Sequence, residues 1–205
     1  NGCVLLEDMA LPEGLTTIGS DAFRNCDGLT EVEMPSTVVK IGDSAYNGCD
    51  NLKAIELNEG LTTIGSSAFA NCTSLEKMVV PDSVTTLGNS FVNGDLALKH
   101  LEFGGGVPSL SYWQTRVNAS EKLVPALETV IFHEGVEELG RSVFSSYYTT
   151  SNTYDNYYYP NLKNISLPES LKKIGPSAFE KCTMLESIEL PSHVVSIGHS
   201  AFKNC

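Results

Sequence analysis

A pattern of apolar and polar positions repeats along this chain about every 23 residues. In a representative repeat, apolar and polar residues alternate through Val32 and Met34, and Pro35 then interrupts the alternation. Such alternation predicts a short strand with one buried face, which ends at the proline because proline cannot donate to a ladder. The S-x-A-F-x-x-C segment later in each repeat is too short for a long helix and predicts one helical or 3-10 turn.

Six cysteines make the interval visible because they share one position of the repeat. Successive intervals are 23 residues, except for 29 between Asp95 and Val124 and 35 between Val124 and Tyr159. The sequence therefore predicts eight turns, with insertions of six and twelve residues near 111–123 and 145–161. The position is filled, in order, by Cys3, Cys26, Cys49, Cys72, Asp95, Val124, Tyr159, Cys182 and Cys205.

A regular interval of this size is typical of a stack of one supersecondary unit. One such unit buries too little apolar surface to offset the conformational entropy of ordering it, so it is expected to fold only in an array. We expect residues 1–205 to form one α/β repeat solenoid, a right-handed superhelix of short parallel strands and short helical or 3-10 turns. The chain starts and ends at the same phase of the repeat without polar caps, which favours a segment of a longer protein.

The complete string L-x-x-I-x-L-P-x-x-V-x-x-I-G-x-x-A-F-x-x-C resembles the BspA-like (Treponema pallidum-type) leucine-rich repeat family of surface proteins. Proline follows the strand here, whereas Asn or Cys follows it in the ordinary leucine-rich repeat. The resemblance covers the chain apart from the two insertions and implies a leucine-rich-repeat superhelix. It also implies an extracellular, cell-surface or secreted location and partners such as a host extracellular-matrix protein, a plasma protein or another microbial cell.

Two recurring positions of the repeat, the glycine and the cysteine, predict further structural features. A recurring glycine predicts a corner that requires either positive φ or close backbone approach. The cysteines allow three disulfides or a column of stacked, buried thiols. We favour the thiol column because Asp95 and Val124 replace cysteine without the loss of a partner cysteine elsewhere. The glycines are Gly19, Gly42, Gly65, Gly88, Gly140, Gly175 and Gly198.

Charge and motifs narrow the possible chemistry. A formal net charge of −12 disfavours binding to nucleic acid or to anionic lipid, and no apolar run approaches the length of a membrane span. Motifs for a serine hydrolase, a zinc protease and a phosphate-binding loop are missing from the sequence. His100, His133, His193 and His199 occupy four different repeat positions, so we do not expect them to form one site. We expect no enzyme activity, no metal and no cofactor.

Two surfaces are candidates for ligand binding. Residues five and seven positions after the cysteine position should point outward from the strands, and solenoids often bind proteins through such a face. The insertions combine Tyr and Trp with Ser, Thr and Asn, a composition typical of binding loops, although some rings, Tyr159 above all, are expected to fill the core instead. The candidate residues are Glu31, Glu33, Glu56 and Glu102 on the strands, and Tyr112, Trp113, Arg116, Tyr147, Tyr148, Tyr154 and Tyr157 in the insertions.

The function that these features favour is a non-catalytic recognition or adhesion module that binds a protein or glycan ligand. It would use the sheet face and the tyrosine-rich insertion. Two alternatives stay open at this point. The chain could be a passive structural spacer, with a solvated outer face and packed tyrosines, or an accessory module of a larger surface protein.

Overall fold

In the computed structural model, which describes residues 2–3, 5–7, 9–110, 124–145, 159 and 161–205, the chain forms stacked turns joined by parallel strand pairs. Each strand has two to four residues. The strands are β1 (Thr17–Ile18), β2 (Glu31–Glu33), β3 (Lys40–Ile41), β4 (Ala54–Glu56), β5 (Thr63–Ile64), β6 (Lys77–Val80), β7 (Thr86–Leu87), β8 (His100–Phe103), β9 (Ser109–Leu110), β10 (Thr129–Phe132), β11 (Glu138–Leu139), β12 (Asn164–Ser166), β13 (Lys173–Ile174) and β14 (Ser196–Ile197).

The alternating segments form the first ladder, which consists of the pair β2-β4 and the four-stranded sheet β6-β8-β10-β12. Equivalent residues of successive turns pair in register, and the register continues across the irregular intervals. Leu101 pairs with Val130, 29 residues later, and Val130 pairs with Ile165, 35 residues later. The predicted short parallel strands and their stacking are therefore confirmed.

A second ladder runs through the T-x-I-G part of the repeat and was not predicted. It comprises the sheets β1-β3-β5-β7 and β9-β11-β13-β14. Ile18 pairs with Ile41, and Ile41 pairs with Ile64, so these three side chains form one buried apolar column beneath β1, β3 and β5. These strands have two residues each, which is too short for an alternating pattern to be recognised.

The S-x-A-F-x-x-C segment contains no helix in the part of the chain that the structure describes, so the predicted helical or 3-10 turn is wrong in this detail. Ser44, Tyr46 and Gly48 donate their N–H groups to carbonyl oxygens of the next turn, at 2.7–2.9 Å. The residues after each of them donate to the carbonyl three positions earlier in their own turn. The φ angles of Ser44 and Gly48 are 54° and 75°, and left-handed residues at this spacing interrupt a helix.

Most of the recurring glycines are required because the backbones of consecutive turns approach closely. This is one of the two explanations that the sequence predicts. A Cβ added at Gly88 would lie 2.2 Å from the backbone nitrogen of Ser66, and one added at Gly65 would lie 2.5 Å from that of Asp43. Gly19, in the first turn, would meet nothing within 4 Å. The positive φ falls two residues later, on Asp21, Ser44, Ser67, Ser90, Ser142, Ser177 and Ser200, with φ between 52° and 58°.

The cysteine column is a series of free thiols, as the sequence predicts. All six cysteines are free, and Cys26, Cys49, Cys72 and Cys182 are buried. The thiol of Cys49 donates to the carbonyl oxygen of Phe23 at 3.1 Å, so it ties its own turn to the preceding one. Burial raises the pKa of Cys49 and of Cys182 to about 12, which keeps both thiols protonated at neutral pH.

Aromatic rings fill the space beside this column. Tyr46 stacks between Phe23 and Phe69, with ring centroids 5.1 and 5.5 Å away. Tyr159 occupies the cysteine position, is buried as expected, and meets Phe144 edge to face at 5.5 Å. The core is thus one continuous apolar interior shared by all the turns.

Asp95 places an ionisable side chain in the middle of the buried cysteine column. Its side chain is completely buried, and its Oδ1 accepts the N–H of Cys72 at 2.8 Å. Its Oδ2 has no hydrogen-bond partner among the described residues. Burial raises the pKa of this carboxyl well above the usual range, and the Cys72 hydrogen bond offsets only part of that effect.

We predict that Gly88→Ala destabilises the stack and that Gly19→Ala does not. The added Cβ at position 88 meets backbone atoms, which move only if the whole turn shifts, whereas position 19 is open. Overpacking of this kind costs about 1–3 kcal/mol. Urea unfolding of both variants measures the difference. Equal stability of the two variants would contradict the close-approach explanation.

We predict that a thiol reagent labels two cysteines in the native protein, Cys3 and Cys205, and six after denaturation without reductant. Raising the pH to about 9 recruits neither Cys49 nor Cys182, because both pKa values lie near 12. The double variant Cys3→Ser/Cys205→Ser should show almost no native labelling. Fewer than six thiols in denaturant would reveal a disulfide and refute the column of free thiols.

We predict that Asp95→Cys stabilises the protein by about 1–3 kcal/mol at pH 7, because it removes a buried polar atom that has no partner. Since the folded-state pKa is raised, the Asp95 contribution to stability is greatest below the unfolded value of about 3.9 and declines as the pH rises above it. The gain should therefore be smaller at pH 4. Val124→Cys, at an uncharged position of the same column, is the control and should show no such pH dependence.

Candidate functional site

The outward side of the first ladder, here called the front face, consists of two parallel rows of side chains. Residues of one row lie next to one another across the pairs β2-β4 and β6-β8-β10-β12. The inward residues between them, such as Val32 and Leu101, are buried and hold the rows in place. One row is Glu31, Ala54, Lys77, His100, Thr129 and Asn164, and the other is Glu33, Glu56, Val79, Glu102, Ile131 and Ser166; all are exposed or half-buried.

The β2-β4 end of the front face is acidic. Glu31, Glu33 and Glu56 are exposed, as the sequence predicts. Glu33 and Glu56 pair directly across the two strands, so two acidic residues are neighbours in one row. Like charges that face one another across strands are unfavourable for the fold, and this pair therefore adds to the cost of folding rather than to stability.

Glu102 lies at the centre of the front face and is held by three cationic or imidazole groups. Its Oε1 is 3.0 Å from Lys77 Nζ and 2.7 Å from His100 Nε2, and its Oε2 is 3.2 Å from His133 Nε2. The carboxylate is half-buried, with a side chain 17% exposed. Burial alone would raise the pKa of Glu102, but hydrogen bonds from His100, Lys77 and His133 lower it to about 2. Glu102 is therefore a fixed anion at neutral pH.

His133 connects three consecutive turns. It follows β10, and its Nδ1 reaches Asp82 Oδ1 at 2.8 Å, two turns back, while its Nε2 faces Glu102 in the turn between. That intermediate turn has Gly104 and Gly105 at the equivalent positions, so no side chain separates the imidazole from Asp82.

The glycine run of the intermediate turn, residues 104–106, is tightly packed. A Cβ at Gly104 would lie 2.3 Å from the carbonyl oxygen of Pro81, and one at Gly106 would lie 2.3 Å from that of Asp82. Gly105 faces Glu134 even more closely, and its N–H donates to Asp82 Oδ1 at 3.0 Å. This backbone hydrogen bond and the contact with His133 lower the pKa of Asp82.

The prediction that the histidines do not form one site is wrong for two of them. His100 and His133 meet at Glu102 although they hold different repeat positions. The sequence signal that was missed is the alternation of side chains along the strand, which places residues 129, 131 and 133 on one face. His133 also replaces the proline that usually ends the strand. His193 and His199 lie in the last turn, away from this cluster.

The remaining predicted site residues lie outside the described residues. These are Tyr112, Trp113, Arg116, Tyr147, Tyr148, Tyr154 and Tyr157. The part of the chain that the structure describes has no group of three or more His, Cys, Asp or Glu side chains arranged to hold a metal ion. In the Glu102 cluster, the Nε2 atoms of His100 and His133 instead contact the two carboxylate oxygens of Glu102. No helix able to cross a membrane was found in the described ranges.

Comparison with solved structures shows that this architecture recurs in bacterial proteins. A leucine-rich repeat protein from Bacteroides ovatus superposes with a TM-score of 0.70 at 24% identity, over 100% of this chain and 48% of that chain. The T. pallidum leucine-rich repeat protein gives 0.64 at 27% identity over 88% and 75% of the two chains. A leucine-rich repeat protein from Eubacterium ventriosum gives 0.69 at 27% identity over 87% and 44%. This chain thus spans about half the length of the Bacteroides ovatus protein.

A search of curated proteins gave no significant match. The family model for the BspA type leucine rich repeat region matches in six copies, over residues 1–115 and 149–205. These ranges contain every strand described above except β10 and β11, which lie in the unmatched residues 116–148. This chain belongs to the BspA-type leucine-rich repeat family.

Proposed function

We propose that this chain is a non-catalytic recognition module of a cell-surface or secreted protein, and that its front face binds a protein ligand. The observation that carries the proposal is the front face itself, where side chains of six adjacent turns stand in two rows on the β2-β4 pair and the β6-β8-β10-β12 sheet. A surface of this kind presents many contacts in fixed positions, so little conformational entropy is lost when a partner binds.

The charge of the front face favours a partner with a basic segment. Glu31, Glu33 and Glu56 are exposed, and the pairing of Glu33 with Glu56 concentrates two negative charges at one place. A cationic partner would relieve the repulsion within this pair, which the free protein retains. Electrostatic complementarity of this type mainly accelerates association and selects among partners. Host matrix proteins, plasma proteins and the surfaces of other microbial cells are the sources we propose for such a ligand.

The tyrosine-rich segment, residues 145–161, is a second part of the proposal and rests on its composition alone. A glycan ligand, a passive spacer and an accessory module are the competing functions. In the experiment below, a glycan ligand predicts binding to glycans only, and a passive spacer and an accessory module both predict no binding to any probe.

We predict that the double variant Glu33→Gln/Glu56→Gln weakens binding to immobilised extracellular-matrix or plasma proteins by about tenfold at low salt, roughly 1.4 kcal/mol. The reason is the loss of both carboxylates that complement a basic ligand. Surface plasmon resonance at two salt concentrations, together with a glycan array, measures the effect.

The control variant is Glu13→Gln/Glu59→Gln, which removes the same net charge from exposed positions outside the front-face rows. It should bind within about twofold of the unmodified chain. Binding that is unaffected by the front-face variant, binding to glycans only, or no binding to any probe would each refute the proposal.

A further inference from the structure

We propose that His133 is a proton-operated clamp, which joins three turns and sets the charge at the centre of the front face when it is protonated. Each ring nitrogen of His133 faces a carboxylate oxygen, Asp82 Oδ1 at 2.8 Å and Glu102 Oε2 at 3.2 Å. Both acceptors are anions, and neither can donate in return.

Only the imidazolium form can satisfy this geometry. A neutral imidazole has one N–H donor and one lone pair, so it can donate to Asp82 or to Glu102 but not to both. In the neutral form, one nitrogen lone pair would face a carboxylate oxygen, which is repulsive. The proton therefore determines whether both links exist.

The charged groups around His133 support the same conclusion. Lys77 and His100 approach the opposite oxygen of Glu102 and keep that carboxylate ionised. Glu134, the next residue, directs its carboxylate to the N–H groups of Glu169 and Ser170 and not to His133. Burial would lower the pKa of His133, but hydrogen bonds to Asp82 and Glu102 raise it above the ordinary value.

The clamp acts at the corner where three turns come into close contact. Asp82 receives both the His133 N–H and the N–H of Gly105, so the imidazolium and the glycine run share one anion. When His133 loses its proton, one link between the turns is lost and one positive charge leaves the face. The centre of the front face then becomes more acidic and continues the acidic end at β2 and β4.

The sign of the pH effect follows from the direction of the pKa shift. Since the folded-state pKa of His133 is raised, its stabilising effect is complete below the unfolded-chain value of about 6.5 and disappears as the pH rises through the folded-state value. The clamp is closed in mildly acidic solution and open in alkaline solution.

The test uses the isolated chain without ligand. NMR follows the His133 ring resonances and the hydrogen exchange of the Gly105 and His133 amides between pH 5 and 9. We expect His133 to titrate above about 6.5, and protection of these amides, corrected for intrinsic exchange, to fall about tenfold through the same midpoint. Asp82→Asn, which keeps the shape and the Gly105 acceptor, should lower the midpoint.

His133→Gln should abolish the pH step in protection, and His199→Gln, at an exposed histidine outside the cluster, should preserve it. The proposal would be overturned if His133 titrated with a midpoint at or below about pH 6.5 and Asp82→Asn did not lower that midpoint. It would also be overturned if the pH-dependent loss of amide protection persisted in His133→Gln. The effect of the clamp on recognition rests on the proposed function, but these measurements do not. Failure of the ligand-binding experiment would therefore not refute the His133 clamp. Failure of the NMR test would likewise not refute the proposed ligand binding.

Discussion

Hydrogen bonding between consecutive turns at one constant register is the constraint on which this molecule depends. The two ladders and the alternating donors of the S-x-A-F-x-x-C segment link each described turn to its neighbours. Strands of two to four residues cannot be stable alone, and their side chains form a core only when turns are stacked. The position of every functional group on the front face, Glu33 beside Glu56 or His100 beside Lys77, follows from this register.

The repeat predicts much of this architecture because a residue that recurs at equal spacing must serve the same purpose in every turn. The buried thiols, the parallel strands and the burial of Tyr159 could be predicted in this way. The non-helical conformation of the described S-x-A-F-x-x-C segments could not be predicted, because the left-handed φ at Ser44 and its equivalents leaves no mark in a period of apolar residues. The second ladder was missed for a related reason: a pair such as Thr63 and Ile64 is too short to show alternation.

The candidate site was predicted only in part. Glu102 and its outward orientation follow from the repeat, but its partners depend on residues that depart from it. His133 stands where most turns have proline, and Gly104 stands at the same place one turn earlier. Averaging over repeats hides such exceptions, although each is conspicuous when compared with its own neighbours. In a repeat protein, positions that break the consensus deserve separate examination, because chemistry that serves one turn alone can be encoded only there.

The alternating donors also limit how a chain of this kind can change length during evolution. In the S-x-A-F-x-x-C segment, consecutive N–H groups point in turn to the next repeat and to their own repeat. Insertion of a single amino acid there would exchange the two sets and separate every downstream donor in the segment from its acceptor. Duplication or loss of a whole unit preserves all of these pairs. Changes in chain length by unequal recombination should therefore add or remove complete repeats. Smaller insertions should be confined to places where the backbone belongs to no ladder.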